Sequence, residues 1–199
     1  GKVDLAEKLN STALGKYFEV VGPYHPETLR CLKNSGHIKL RLGAYDEAEA
    51  IFSQVLKSYK EFRPPDHSDI LDSLSSLGIT CEHKGDYKQA GSYHSECLRR
   101  AQRSLGSSHP SALQALNNLA NVFLKQGSFR HCEKLYREAI RIYTRYYGED
   151  SPDTLASISN LAVLLNSVGK YKQAKLFCNR AFKGRSRILG PSHPDTLST

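Results

Sequence analysis

The chain contains no methionine. Because it also opens and closes inside a repeated unit, it is expected to be a piece of a longer protein, with Gly1 an added residue. Its five cysteines, Cys31, Cys81, Cys97, Cys132 and Cys178, are odd in number and include no Cys-x-x-Cys pair. That pattern argues against a disulfide framework or a zinc site and fits reduced thiols in an intracellular, cytoplasmic protein. No apolar run approaches the roughly 18 residues that would span a bilayer, and no signal-peptide pattern precedes the first unit, so no membrane partner is expected. The motifs of catalysis are missing too. There is no Gly-rich phosphate loop, no Gly-x-Ser-x-Gly, and no carboxylate pair that the repeat does not dictate. Catalytic residues, metal ligands and cofactors are expected to be none, and the chain reads as a binding protein, not an enzyme.

Acidic residues are scarce in one place only. The net charge of +8 comes from 28 Lys and Arg against 20 Asp and Glu, which suggests acidic partners. Residues 25–66 hold 7 bases and 6 acids, residues 67–108 hold 5 and 5, and residues 109–150 hold 6 and 4. Residues 151–192 hold 7 bases and the single acid Asp153. A run such as Lys170, Lys172, Lys175, Arg180, Lys183, Arg185 and Arg187 is either a solvated helix face or an anion-binding patch. Few aromatics stand beside these bases, which counts against a single-stranded nucleic acid partner.

What is present is a strict period. His-Pro-Glu-Thr-Leu at 25 returns as His-Ser-Asp-Ile-Leu at 67, His-Pro-Ser-Ala-Leu at 109, Ser-Pro-Asp-Thr-Leu at 151 and His-Pro-Asp-Thr-Leu at 193, always 42 residues apart. Such a period denotes stacked supersecondary units that bury their apolar faces on one another. The expected organisation is a single array over residues 1–199, with full units 25–66, 67–108, 109–150 and 151–192 and partial units 1–24 and 193–199.

Each unit opens on a His or Ser that caps a helix, followed in most copies by Pro at the first helical position. Apolar residues then recur at helical spacing, as in Leu113, Leu116, Leu119, Ala120 and Phe123. Gly43, Gly85, Gly127 and Gly169 end this first helix. Two residues later Tyr45, Tyr87, Phe129 and Tyr171 open a second. Its inner face carries Ala48, Ala90, Cys132 and Ala174, then Val55, Cys97, Ala139 and Ala181, small enough for close helix approach. The row His25, His67, His109 and His193 recurs once per unit, roughly 10 Å apart by helix packing. That is too far apart to share a metal whose ligands lie about 2 Å away, so these are caps.

The pattern resembles the tetratricopeptide repeat family. The resemblance is carried by Leu77-Gly78, Leu119-Ala120 and Leu161-Ala162, by Gly85-Asp86-Tyr87 and Gly169-Lys170-Tyr171, and by Ala90 and Ala174. The 42-residue period, against the usual one of about 34, is similar to the kinesin light chain and nephrocystin subgroup. Ser35-Gly36 in the first unit, and Ser68 with Pro64-Pro65 at the second, depart from the pattern and predict altered local geometry there.

The resemblance implies an all-α, right-handed superhelical solenoid of antiparallel helix hairpins whose first helices line a concave, peptide-binding groove. By repeat register the inward positions are Arg30, Lys33, Asn34, His37 and Arg41; then Asp72, Ser75, Ser76, Ile79, Glu82 and His83. The third unit gives Gln114, Asn117, Asn118, Asn121 and Lys125, and the fourth Ser159, Asn160, Val163, Asn166 and Ser167. Amides can donate to and accept from an extended backbone, while Arg and Lys favour acidic groups. The Asn positions are equally suited to holding the helices together. A clamp for chaperone C-termini would need different residues at three of the five places offered by Lys33, His37, Ser76, Asn117 and Asn121. The expected function is therefore an adaptor that binds a peptide or protein segment of acidic character. The alternatives are an intramolecular regulatory array within a larger signalling protein and, less favoured, a nucleic-acid-binding repeat.

Overall fold

The structure, a computed structural model, describes residues 2–64 and 67–197. These residues form ten helices: α1 (Lys2–Val21), α2 (Pro26–Arg41), α3 (Tyr45–Phe62), α4 (Ser68–Lys84), α5 (Tyr87–Leu105), α6 (Pro110–Lys125), α7 (Phe129–Tyr147), α8 (Pro152–Ser167), α9 (Tyr171–Leu189) and α10 (Pro194–Leu197). They pack into two compact units, residues 1–100 and 101–199, with the boundary inside α5. Consecutive helices pair within each unit, α1 to α4 in the first and α6 to α10 in the second. The local geometry predicted at Pro64-Pro65 falls partly outside the described residues.

The repeated motif is a helix-start device. The ring Nδ1 of His25, His67 and His109 accepts the backbone N–H two residues on, from Glu27 at 3.3 Å and from Asp69 and Ser111 at 3.2 Å. Ser151 caps with its hydroxyl instead, accepting from the N–H three residues on, Thr154 N at 3.2 Å. The motif's threonine ties the cap to the preceding turn: Thr28 and Thr154 each donate to a glycine carbonyl six residues back, Gly22 and Gly148, at 2.8 Å. At the other end, Gly85 takes φ +80°. This lets its N–H reach Glu82 O at 3.0 Å and lets Asp86 N reach Cys81 O at 2.9 Å. A side chain there would be strained, which is why the hairpin turn is written with glycine.

The small residues of the second helices are buried as their spacing predicts: Ala48, Val55, Ala90 and Cys97 in the first unit, Cys132, Ala139, Ala174 and Ala181 in the second. Around them lie Phe52, Leu74 and Leu77 in one unit and Leu155, Ile158, Leu161 and Leu165 in the other. Each such side chain contributes about 1.5–3 kcal/mol by leaving water.

The first and second helices of a hairpin are also matched in size. In α2 an added Cβ on Gly36 would meet the Phe52 ring at 2.6 Å, and in α4 one on Gly78 would meet the His94 ring at 2.3 Å. Ala120 and Ala162 stand at the register of these glycines, and Tyr136 and Cys178 at the register of Phe52 and His94.

Burial sets the chemistry of the thiols. It pushes Cys81, Cys97 and Cys132 up to about 11, and Cys97 Sγ donates to Leu71 O at 3.4 Å. Thiolate is the reactive form, so these three cysteines are expected to react with iodoacetamide at pH 8 at least 100-fold more slowly in the native protein than in urea. Peptide mapping after timed labelling reads this directly. Comparable native and denatured rates would contradict the packing.

Candidate functional site

The first helices carry their apolar rows into the core and leave one row toward solvent. On α2 that row is Arg30, Asn34, His37 and Arg41, all exposed. On α4 the same register gives exposed Asp72 and His83, with Ile79 half-buried between them. Gln114, Asn121 and Lys125 are exposed on α6, and Asn160, Val163, Asn166 and Ser167 on α8. The adjacent row, Lys33, Ser75, Asn117 and Ser159, is half-buried, as are Glu82 and Asn118. Ser76 departs from its predicted place. It is buried, and its carbonyl accepts the Thr80 hydroxyl at 2.8 Å.

Several of these side chains are already engaged. Arg30 pairs with Glu27, and Lys33 Nζ lies 3.2 Å from Asp72 Oδ2, joining α2 to α4. Glu82 Oε1 sits 2.8 Å from Nε2 of the fully buried His94. His83 stacks on Tyr45 with centroids 5.4 Å apart. His37 meets Phe52 edge-on at 4.9 Å. Burial, then the Lys33 charge, hold the His37 ring below the usual imidazole range. At neutral pH His37 is thus a neutral donor and acceptor and adds no positive charge to the row.

The amides divide in the same way. Asn117 Nδ2 donates to Tyr143 OH at 3.3 Å, and its Oδ1 is buried without a partner. Asn118 Nδ2 is likewise buried without a partner. Asn121 Oδ1 accepts from Tyr136 OH at 2.8 Å, leaving its NH₂. Of the amides named from the repeat register, Asn34, Asn121, Asn160 and Asn166 are exposed, whereas Asn117 and Asn118 are half-buried and Asn117 is bonded within its own hairpin.

Two basins adjoin the exposed rows. In the first unit, a basin of about 870 Å³ between α1 and α2 is lined by Arg30, Asn34, His37 and Arg41 on one side and Leu9, Ala13 and Tyr17 on the other. Leu9, Ala13 and Tyr17 occupy the register of Ile51, Val55 and Tyr59 on α3, of which Val55 and Tyr59 are buried. In the second unit, about 470 Å³ is enclosed by Ser159, Val163 and Asn166 of α8 with Tyr171, Lys175 and Cys178 of α9. Sequence reasoning did not foresee the apolar side of either basin. The signal was available, since residues matching buried positions in neighbouring repeats are here in contact with solvent. Among the described residues no cluster of His, Cys, Asp or Glu could hold a metal, and no helix is long and apolar enough to cross a membrane.

The tetratricopeptide repeat profile matches residues 1–61, 69–143 and 113–185. The chain belongs to the tetratricopeptide repeat family. Its fold is similar to that of BtubC (BKLC) from P. vanneervenii, at 20% identity and a TM-score of 0.83, covering 100% of this chain and 80% of that one. It is also similar to a Podosopora anserina protein named for the kinesin light chain, with nearly identical TPR-like repeats. There the identity is 20% and the TM-score 0.85, over 95% of this chain and 90% of that one. A comparison with curated protein sequences finds no match. Tetratricopeptide repeats generally serve as non-enzymatic modules of protein–protein interaction.

Proposed function

We propose that this tetratricopeptide array binds a peptide or protein segment of acidic character on the exposed face of its first helices. The observation that carries this reading is the α2 row. Arg30, Asn34, His37 and Arg41 line one basin opposite an apolar wall, so charge, amide and apolar recognition converge there. Arg41 has no ion pair among the described residues and can hold a carboxylate through a charge-assisted hydrogen bond. Asn34 can hold the backbone beside it through both its donor and its acceptor. In the second unit Asn121, Lys125 and Asn160 offer the same chemistry.

A peptide array probed with the labelled protein is the test, followed by titration of its best acidic peptide. Arg41→Glu is expected to weaken that peptide by about tenfold or more, since it replaces a charge-assisted contact worth about 1.5–3 kcal/mol by repulsion. Asn34→Ala is expected to give a smaller loss. Binding unchanged by both substitutions would end the reading.

A further inference from the structure

A third cleft, of about 450 Å³, lies on the second helices of the second unit, away from the α8 face row. Its walls are Arg137, Arg141 and Arg145 of α7 and Arg180 of α9. Ile140, Leu161 and Phe177 line it as apolar surface, and Glu149 is its only acid. The three α7 guanidiniums recur at helical steps of four, so they share one face.

The neighbouring repeats show what is unusual. Arg180 stands in the register of Glu96 and Glu138. In the first unit Glu96 performs the expected balancing role, 3.6 Å from Lys60 Nζ and 2.9 Å from Arg100. In the fourth repeat that acid has become a base. Arg137 is balanced by Glu133 at 2.9 Å and lies over the Phe177 ring at 5.6 Å. Arg145 lies over Tyr146 at 5.6 Å. Neither Arg141 nor Arg180 has an acidic partner among the described residues. Thr144 also lines the cleft, and its hydroxyl is buried without a hydrogen-bond partner.

We infer that this cleft is a docking site for a phosphorylated peptide segment, its phosphate held by Arg141 and Arg180 and an adjoining apolar side chain seated at Phe177, the half-buried member of the apolar lining. A phosphate carries about −1.5 to −2 at neutral pH and accepts guanidinium forks in pairs. One group of that charge offsets about half to two-thirds of the excess of four guanidiniums over one carboxylate, where a single carboxylate would offset about a third. The apolar lining distinguishes this occupant from a nucleic acid backbone, which would use a longer basic track with free stacking rings.

Fluorescence anisotropy tests this with three probes: a short phosphoserine peptide with an adjacent leucine, its unphosphorylated twin, and a single-stranded oligonucleotide of matched charge. The phosphopeptide is expected to bind at least tenfold more tightly than either control at physiological salt. Arg180→Glu restores the residue type of Glu96 and Glu138, and Arg141→Ser removes an exposed base, so both are compatible with folding; circular dichroism verifies this. Each should cost the phosphopeptide about tenfold or more, whereas Lys57→Glu, at an exposed base of α3, should leave it unchanged. Equal binding of the unphosphorylated twin, equal binding of the oligonucleotide, or indifference to Arg180→Glu in a folded protein would each overturn the inference. The two sites are told apart by which variants the phosphopeptide senses: Arg141→Ser and Arg180→Glu report on this cleft, and the α2 face is titrated separately with its own unphosphorylated acidic peptide.

Discussion

Gly78→Ala is expected to destabilise the protein by about 1–3 kcal/mol, the usual cost of forcing extra volume into a packed interior. In an open helix the same change would gain about 0.5–1 kcal/mol, because alanine restricts the unfolded chain and favours helix. Here the sign reverses. The new Cβ would lie 2.3 Å from the His94 ring, and that ring is wholly buried and anchored on Glu82 at 2.8 Å, so it cannot swing aside cheaply. Urea unfolding followed by circular dichroism gives the number. The decisive companion is Gly78→Ala with His94→Cys, which recreates the Ala162 and Cys178 combination of the fourth repeat. Relative to the sum of the single changes, the double variant should recover at least about 1 kcal/mol, since residues in contact couple by 0.5–3 kcal/mol. A Gly78→Ala protein as stable as the parent would show that the helices can move apart without penalty.

Tyr136→Ala should cost more, about 3–5 kcal/mol, as for other large aromatic truncations in cores. Tyr136 is 2% exposed and sits in one cluster with Ala120, Cys132, Leu161 and Leu165. Burial holds its phenol well above the usual tyrosine range, so the hydroxyl stays protonated and donates to Asn121. Tyr136→Phe keeps the ring and loses only that bond, an expected cost of about 0.5–1.5 kcal/mol. It also frees Asn121 Oδ1 on the exposed row. If thermal unfolding gave the two variants equal losses, the hydroxyl and not the ring would be the stabilising element.

Much of this architecture was legible because the period writes each element several times over. The histidine caps, the glycine at each hairpin turn and the small residues of the second helices each recur in register, so one residue's role could be checked against its counterparts. Engagement was harder to read. Nothing in the spacing tells that Glu82 turns to His94, that Lys33 is neutralised by Asp72, or that Asn117 points to Tyr143. Each depends on a side-chain direction that the exposed and half-buried rows share. The arginine cleft escaped for a different reason. Counting charge by repeat located the excess in residues 151–192, but half of the cleft comes from α7 in the repeat before. The informative comparison was of one position across repeats, Glu96, Glu138 and Arg180.

The pairing in register of Gly36 with Phe52, Gly78 with His94, Ala120 with Tyr136 and Ala162 with Cys178 also constrains how such a chain can be recombined. Crossovers placed at the inter-repeat loops would keep every bulky residue with its own notch. Crossovers inside a hairpin would mate α4 with a ring meant for α2, or leave a hollow beneath an alanine. Modular shuffling of this chain should therefore tolerate whole 42-residue cassettes and reject single-helix exchanges.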